Sequence, residues 1–273
     1  MGRAEREYGI TVSPLPAGTA ASKEYSLTEL MVIAGAREIA DGEMVFVGMR
    51  LPMLAYAVAK RTHAPNAIGL YDNGIIRMAG GAEPLRTVGD PSNVGGATQC
   101  GQTIDVMGYL QQGRVQVGFL GGAEVDRFGN VNTLWGSRGG ETQRLPGSGG
   151  GCDIACLAQR SVVMIPHQRD RFRERVGHIT SPGYGSGNGW RAAHRLPART
   201  GPSAIISNLG IMRFGSDGEA FLASIHPGVQ VEQVLAATGW TLRVADALLD
   251  TSGPSATELE AVRAVDPDHF WTR

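Results

Sequence analysis

Cysteine is scarce in this chain. The three that occur among 273 residues, Cys100, Cys152 and Cys156, form neither an even disulfide framework nor a paired zinc spacing. A reducing compartment, the cytoplasm, is the expected setting. No apolar stretch reaches the length of a membrane span and the N-terminus has no apolar signal core, so no membrane partner is expected. Nor is there an excess of charge of either sign. Lys and Arg number 25 against 26 Asp and Glu, a formal net charge of −1, which provides no track for nucleic acid and no attraction to an anionic surface. The six histidines show no H-E-x-x-H or related spacing, so no metal is expected. The phosphate loop G-x-x-x-x-G-K-[ST] is missing, and no glycine cluster opens a strand–helix unit as a dinucleotide fingerprint does. There is no internal repeat and no linker-like stretch.

Glycine, by contrast, is abundant: 39 residues, about twice the usual share. These glycines gather beside short apolar runs, the mark of tight turns at strand ends rather than of low complexity. Residues 1–22 are small, polar and rich in Pro and Gly, and are expected to form a flexible extension. Residues 23–273 are expected to form one α/β domain, long enough to bury a substantial core.

Order is expected to begin at Ser26 to Glu29, a capping box that opens a helix running to about Ala40. A short apolar strand follows at 44–47, then a helix at 51–60 with proline in its first turn, then a strand at 67–71. The alternation continues with a helix at 103–112, a strand at 115–120, a helix at 154–159 and a strand at 161–165. Later strands are read at 203–207 and 220–225, the second in a hairpin turning at Asp217 and Gly218. Short helices are read at 231–237 and 257–264. Such alternation predicts an open, mainly parallel α/β sheet with helices on both faces.

In such sheets ligands gather at the carboxyl ends of the strands. Three loops at those ends carry unusual residues. In the first, Tyr71, Asp72, Asn73 and Gly74 follow an apolar strand. A carboxylate there, supported by Asn73 and a glycine turn, can be presented as a nucleophile or base, or can simply shape an Asx turn. In the second, Gly121, Gly122 and Ala123 let backbone N–H groups approach a ligand, Glu124 and Asp126 add carboxylates, and 126–129 reads as a hairpin turn. The third, Gly147 to Gly151, precedes a helix. Its glycines, Gly149 and Gly150 among them, suit an oxyanion or anion, or a plain flexible loop. His226 is the histidine best placed for function, with a structural turn the competing reading. Cys152 and Cys156 have core-like helical spacing. His167, Arg169, Arg171, Arg173 and Arg175 form a basic run, either a solvated face or a seat for a ligand's phosphate or a partner.

Taken in order, several segments resemble the β subunits of class I CoA-transferases, such as those of glutaconate CoA-transferase and 3-oxoadipate CoA-transferase. They include Leu51–Pro52, Asn73–Gly74, 117–123, 125–132, 145–150, 179–183, 226–229 and 238–240. The resemblance spans about Ser26 to Ala245. It implies an α-subunit partner, with the active site between the two halves, and an acyl-CoA substrate whose coenzyme A is part of the substrate rather than a tightly bound cofactor. It also implies that the attacking group of the family, a glutamate in a Glu-x-Gly turn, corresponds to Asp72, and that glycine N–H groups at 121–123 and 149–150 stabilise the oxyanion. Two departures stand out. Asp72 is one methylene shorter than glutamate, and Glu124 occupies the position of the family's usual glutamine. Together they open an alternative: a decarboxylase or ring-opening hydrolase on the same scaffold, with Asp72 and Glu124 as acid/base groups.

Overall fold

The structure is a computed structural model, and it describes residues 25–79, 85–138, 141–198 and 200–273. The extension expected over residues 1–22 lies outside them.

Ser26 opens helix α1 (Leu27–Ala36) with the capping box read from the sequence: its hydroxyl accepts from the Glu29 N–H at 3.1 Å, and the Glu29 carboxylate accepts from the Ser26 N–H at 2.7 Å. The helix stops four residues before the expected Ala40. Its last turn tightens into three-residue hydrogen bonds from Glu38 to Gly35 and from Ile39 to Ala36, which satisfy the terminal carbonyls. Strand β1 (Met44–Phe46), helix α2 (Leu51–Arg61) and strand β2 (Ile68–Leu70) follow as read. Lys60, buried near the end of α2, donates to the carbonyls of Pro65, Ala67 and Met78 and so ties the helix to the strands beneath it.

Next come β3 (Ile75–Arg77), β4 (Gln99–Cys100), α3 (Thr103–Gln111) and β5 (Val117–Leu120). Four short strands then run β6 (Glu124–Asp126), β7 (Val131–Asn132), β8 (Trp135–Arg138) and β9 (Glu141–Arg144). Helix α4 (Gly151–Leu157) begins three residues earlier than expected and leads into β10 (Arg160–Met164) and β11 (Phe172–Arg173). The chain continues through α5 (Trp190–Ala193), β12 (Pro202–Ile206), β13 (Gly210–Phe214), β14 (Ala220–Ile225), α6 (Val231–Ala236), β15 (Arg243–Asp250) and α7 (Ala256–Val265).

Ten strands make one sheet in the order β15-β14-β13-β12-β10-β5-β1-β2-β3-β4. Its centre, β2-β1-β5-β10-β12, is parallel throughout. The flanks are where sequence and structure differ: β3 and β4 extend one side antiparallel, and β13 and β14 extend the other. The hairpin expected at Asp217 and Gly218 is present between β13 and β14, with Gly218 at φ +80°.

The central strands are apolar on both sides because both sides are covered. Side chains alternate across a strand. Val45, Val47, Val117, Phe119, Val162, Met164, Ala204 and Ile206 face a core with Met31, Ala55, Val58 and Val262 of α1, α2 and α7. Phe46, Leu120, Val163, Ile165 and Ile205 face the other core, with Val106 and Leu110 of α3 and Ile154 of α4.

Candidate active site

β2, β1 and β5 run side by side and parallel, with Phe46 level with both Leu70 and Gly118. The loops leaving β2 and β5 therefore emerge at one edge of the sheet, ~10 Å apart by two strand spacings. Asp72 sits at the tip of the β2–β3 turn, which the Tyr71 N–H closes on the Ile75 carbonyl (2.9 Å) and the Gly74 N–H closes on the Tyr71 carbonyl (3.0 Å). Gly74 holds φ +92°, where a side chain is strained. The Asx contact belongs to Asn73: its Oδ1 accepts from the Ile75 N–H at 3.4 Å, and its Nδ2 anchors the turn to the Val88 carbonyl at 2.8 Å. Asp72 is left free of that duty. Its carboxyl is partly buried, and burial raises its pKa above the ordinary aspartate value, against a lowering pull from nearby backbone N–H groups. Among the described residues no side chain hydrogen-bonds or ion-pairs with it.

The second loop leaves β5 through Gly121 and Gly122. A methyl on Gly122 would stand 2.5 Å from the Val131 Cγ1, so nothing larger than glycine fits. The Ala123 N–H is committed to the Asn132 carbonyl (3.0 Å), whereas among the described residues no acceptor takes the amides of Gly121 and Gly122. Glu124 is buried in β6. One carboxylate oxygen accepts from Asn132 Nδ2 at 2.8 Å and the other lies 3.4 Å from Arg173 Nε. Asp126 is consumed by the turn read at 126–129: it accepts from the Phe128 and Asn130 N–H groups and from Asn130 Nδ2. Glu124 thus lies in a second, three-stranded sheet of order β11-β6-β7, and it is not among the groups that shift Asp72.

The third loop, through Gly149 and Gly150, ends beside the second. A methyl on Gly151 would stand 3.6 Å from Leu120 and 2.9 Å from Ser181 Oγ, and one on Gly150 would meet Met107 of α3 at 2.6 Å. The same helix begins against the Asp72 turn, since Gly74 packs on Gly101 and Gln102. Helix α3 therefore bridges the carboxylate loop and the glycine-rich loop. Gly149 at φ +50° has open space around its Cα, as a surface presented to a ligand or a partner requires.

His226 is structural. Fully buried, it contacts Thr251 Oγ1 and the Ser207 carbonyl, and burial lowers its pKa to about 4. The basic run is not one solvated face. His167 is buried, stacks on Phe172 at 3.7 Å and is pulled to about 3 by burial, while Arg169 caps carbonyls of Ala236 and Thr238 and Arg173 holds Glu124. The cysteines also depart from the core reading: Cys152 is exposed and Cys156 half-buried. One residue at this edge escaped the sequence entirely. Arg50, at the end of the β1–α2 loop, holds φ +69°, a backbone state that nothing in its neighbours' composition signals. Among the described residues no group of His, Cys, Asp or Glu could hold a metal ion, and no helix is long and apolar enough to cross a membrane.

A carboxylate at one strand end, with amides at the next loop, is an arrangement suited to attack on a carbonyl and stabilisation of the oxyanion. Similarity to known proteins gives the family. The chain is 39% identical over 245 residues to the β subunit of 3-oxoadipate CoA-transferase from Pseudomonas knackmussii, covering 89% of this chain and 94% of that one. It superimposes on the glutaconate coenzyme A-transferase of Acidaminococcus fermentans with TM-score 0.84 at 27% identity, covering 93% of this chain and 99% of that one. It also matches the decarboxylase AibA/AibB with TM-score 0.76 at 29% identity, covering 90% and 96%. The profile of the Coenzyme A transferase family spans residues 28–237, and with this breadth of agreement the chain belongs to that family.

Proposed function

We propose that this chain is the β subunit of a heteromeric, cytoplasmic enzyme that moves coenzyme A from an acyl-CoA thioester to a carboxylic acid, with Asp72 as nucleophile. The observation that carries the reading is Asp72 itself: presented at the carboxyl edge, partly buried, and unpaired among the described side chains. In the first step a carboxylate oxygen attacks the acyl carbonyl carbon, the C–S bond breaks, and CoA leaves as thiolate. The product is a mixed anhydride on Asp72. The thiolate then attacks the aspartyl carbonyl and expels the donor acid as a carboxylate, leaving an aspartyl-CoA thioester. An acceptor acid runs the sequence in reverse. The unaccepted amides of Gly121 and Gly122, with those of Gly149 and Gly150, face the developing oxyanion. Coenzyme A enters as part of the substrate, and an α subunit closes the other side of the cleft, in keeping with the subunit naming of the relatives.

A second reading is favoured by the short arm of Asp72 and by its raised pKa: the same carboxyl acts as acid or base, with Glu124 as the second such group, in a decarboxylation or hydrolysis of the CoA ester. One experiment separates the two. The α/β complex is mixed with acyl-CoA, quenched in parallel with borohydride and hydroxylamine, and mapped by mass spectrometry. Reduction or hydroxamate formation at Asp72 is the expected result. Consumption of thioester without an acceptor acid, with Asp72 unmodified, would replace transfer by the second reading.

A further inference from the structure

Helix α4 carries Cys152 and Cys156 one turn apart, so both side chains leave it on the same face. Cys152 is exposed and Cys156 half-buried, and the Cys156 S–H donates to the Cys152 sulfur. Burial and the neighbouring Cys152 push the Cys156 thiol up to about 11, against a pull from the Arg191 guanidinium. The pair therefore meets solvent through Cys152 and keeps a protonated sulfur behind it.

The two ends of α4 are held unequally. Arg191, itself buried, donates through Nη2 to the carbonyls of Ala155 at 3.1 Å and Cys156 at 3.2 Å. Ile154 packs on β5 so closely that a methyl on Gly118 would collide with its Cγ2. The Cys152 end instead continues back through Gly149 (φ +50°) and Gly147 (φ +98°), each with open space where a side chain would stand. Residues four apart on a helix hold their Cβ atoms ~5–6 Å apart whereas a disulfide needs ~3.8 Å, so a link between them requires a shift of ~1–2 Å. The less restrained end is the one that carries Gly149 and Gly150.

We propose that Cys152 and Cys156 are a peroxide-modified dithiol whose disulfide draws the glycine-rich loop out of place and stops turnover. Cys152, as thiolate, attacks one oxygen of hydrogen peroxide; the O–O bond breaks, hydroxide leaves with the proton that Cys152 gave up, and a sulfenic acid remains. The Cys156 sulfur then attacks the Cys152 sulfur, the S–O bond breaks, and the departing hydroxide takes the Cys156 proton as water. Two thiols lose two electrons, and one peroxide becomes two waters. The nearby Arg191 charge favours Cys156 as its proton leaves. In a reducing compartment such a link is transient and reports oxidant. The disulfide stands on the geometry of α4 alone, while the loss of turnover rests on Gly149 and Gly150 belonging to the reaction site.

The reduced α/β complex is treated with hydrogen peroxide and mapped by mass spectrometry without reduction. It is then assayed for acyl-CoA consumption with an acceptor acid present, which registers transfer, decarboxylation and hydrolysis alike. The peptide holding both cysteines is expected to lose two hydrogens, and turnover to fall ~10- to 100-fold through displacement of the loop, returning with dithiothreitol. Cys156→Ser should keep basal turnover and form no link, its Cys152 sulfenic acid being trapped by dimedone. Cys152→Ala should stay active in peroxide. An unlinked pair after treatment, a linked complex with parental turnover, or a Cys152→Ala complex that peroxide inactivates as fully as the parent overturns the proposal. A linked, inactive complex sustains it even where Asp72 in the reduced complex is never modified.

Discussion

Replacing Gly74 by alanine tests whether the Asp72 turn is as tightly determined as its surroundings indicate. The new methyl would stand 2.6 Å from the carbonyl carbon of Gly101 and 2.8 Å from that of Gln102. Both are backbone atoms, fixed by the start of α3, and they cannot swing aside as a side-chain tip could. Restoring ordinary contact requires the turn to move by about 1 Å. Holding φ +92° with a side chain adds strain of ~1–3 kcal/mol, and overpacking against backbone adds a similar amount. The variant should therefore lose about 2–5 kcal/mol in urea unfolding at fixed subunit concentration. Asp72 lies two residues away, and a displacement of ~1 Å in a reacting group costs about a hundredfold in rate, so turnover by the α/β complex should fall by that order. Loss of less than about 0.5 kcal/mol together with a rate within threefold of the parent would refute the account of the turn.

Acid should destabilise the fold through His167 and His226, whose burial lowers them to about 3 and about 4. Both are neutral in the native state but take up protons near pH 6.5 when unfolded. Their contribution is therefore complete above that pH and declines as pH falls towards 4, by up to ~2.7 kcal/mol per pH unit for two protons. His226→Gln should remove about half of that slope, and an unchanged slope would show that the histidine is not the group responsible. Glu124→Gln retains the hydrogen bond from Asn132 but gives up the ion pair with half-exposed Arg173. It should cost ~1 kcal/mol or less and reduce turnover less than tenfold; a hundredfold fall would mark Glu124 as an acid/base group.

The parallel centre of the sheet was legible because each of its strands is a short apolar run next to a helix, and the two periods do not resemble one another. Ser26 and Glu29 announced α1 for a similar reason: the cap needs only residues three apart. Of the antiparallel flanks only the β13–β14 hairpin was legible, from its turn at Asp217 and Gly218. β3 and β4 are three and two residues long, too short for any alternation to register, and β15, parallel to β14, has no buried residue and so no apolar face. Asp72 could be picked out from its place after a strand and before a glycine. The assignment of the Asx bond to Asn73 rather than Asp72 could not, since either side chain can make it. His167 sits within a run of arginines and is indistinguishable from them by pattern. Its burial depends on Phe172, Ser207 and Thr238, partners up to 71 residues distant. Arg50 left no trace at all, because no residue type beside it announces a positive φ on an arginine.

The alternation of side chains along the central strands divides the interior into two compartments that share only backbone. Met31, Ala55 and Val262 on one side never touch Val106, Leu110 or Ile154 on the other. The side with α1, α2 and α7 can accumulate substitutions whose effects sum independently of those on the opposite side. The Asp72 turn straddles the two, since Tyr71 and Ile75 pack in the first core while the start of α3 braces Gly74 from the second. The sheet acts as a bulkhead with the carboxylate at its rim: substitutions deep in either compartment stay on their own side, and those near the rim reach Asp72 from both.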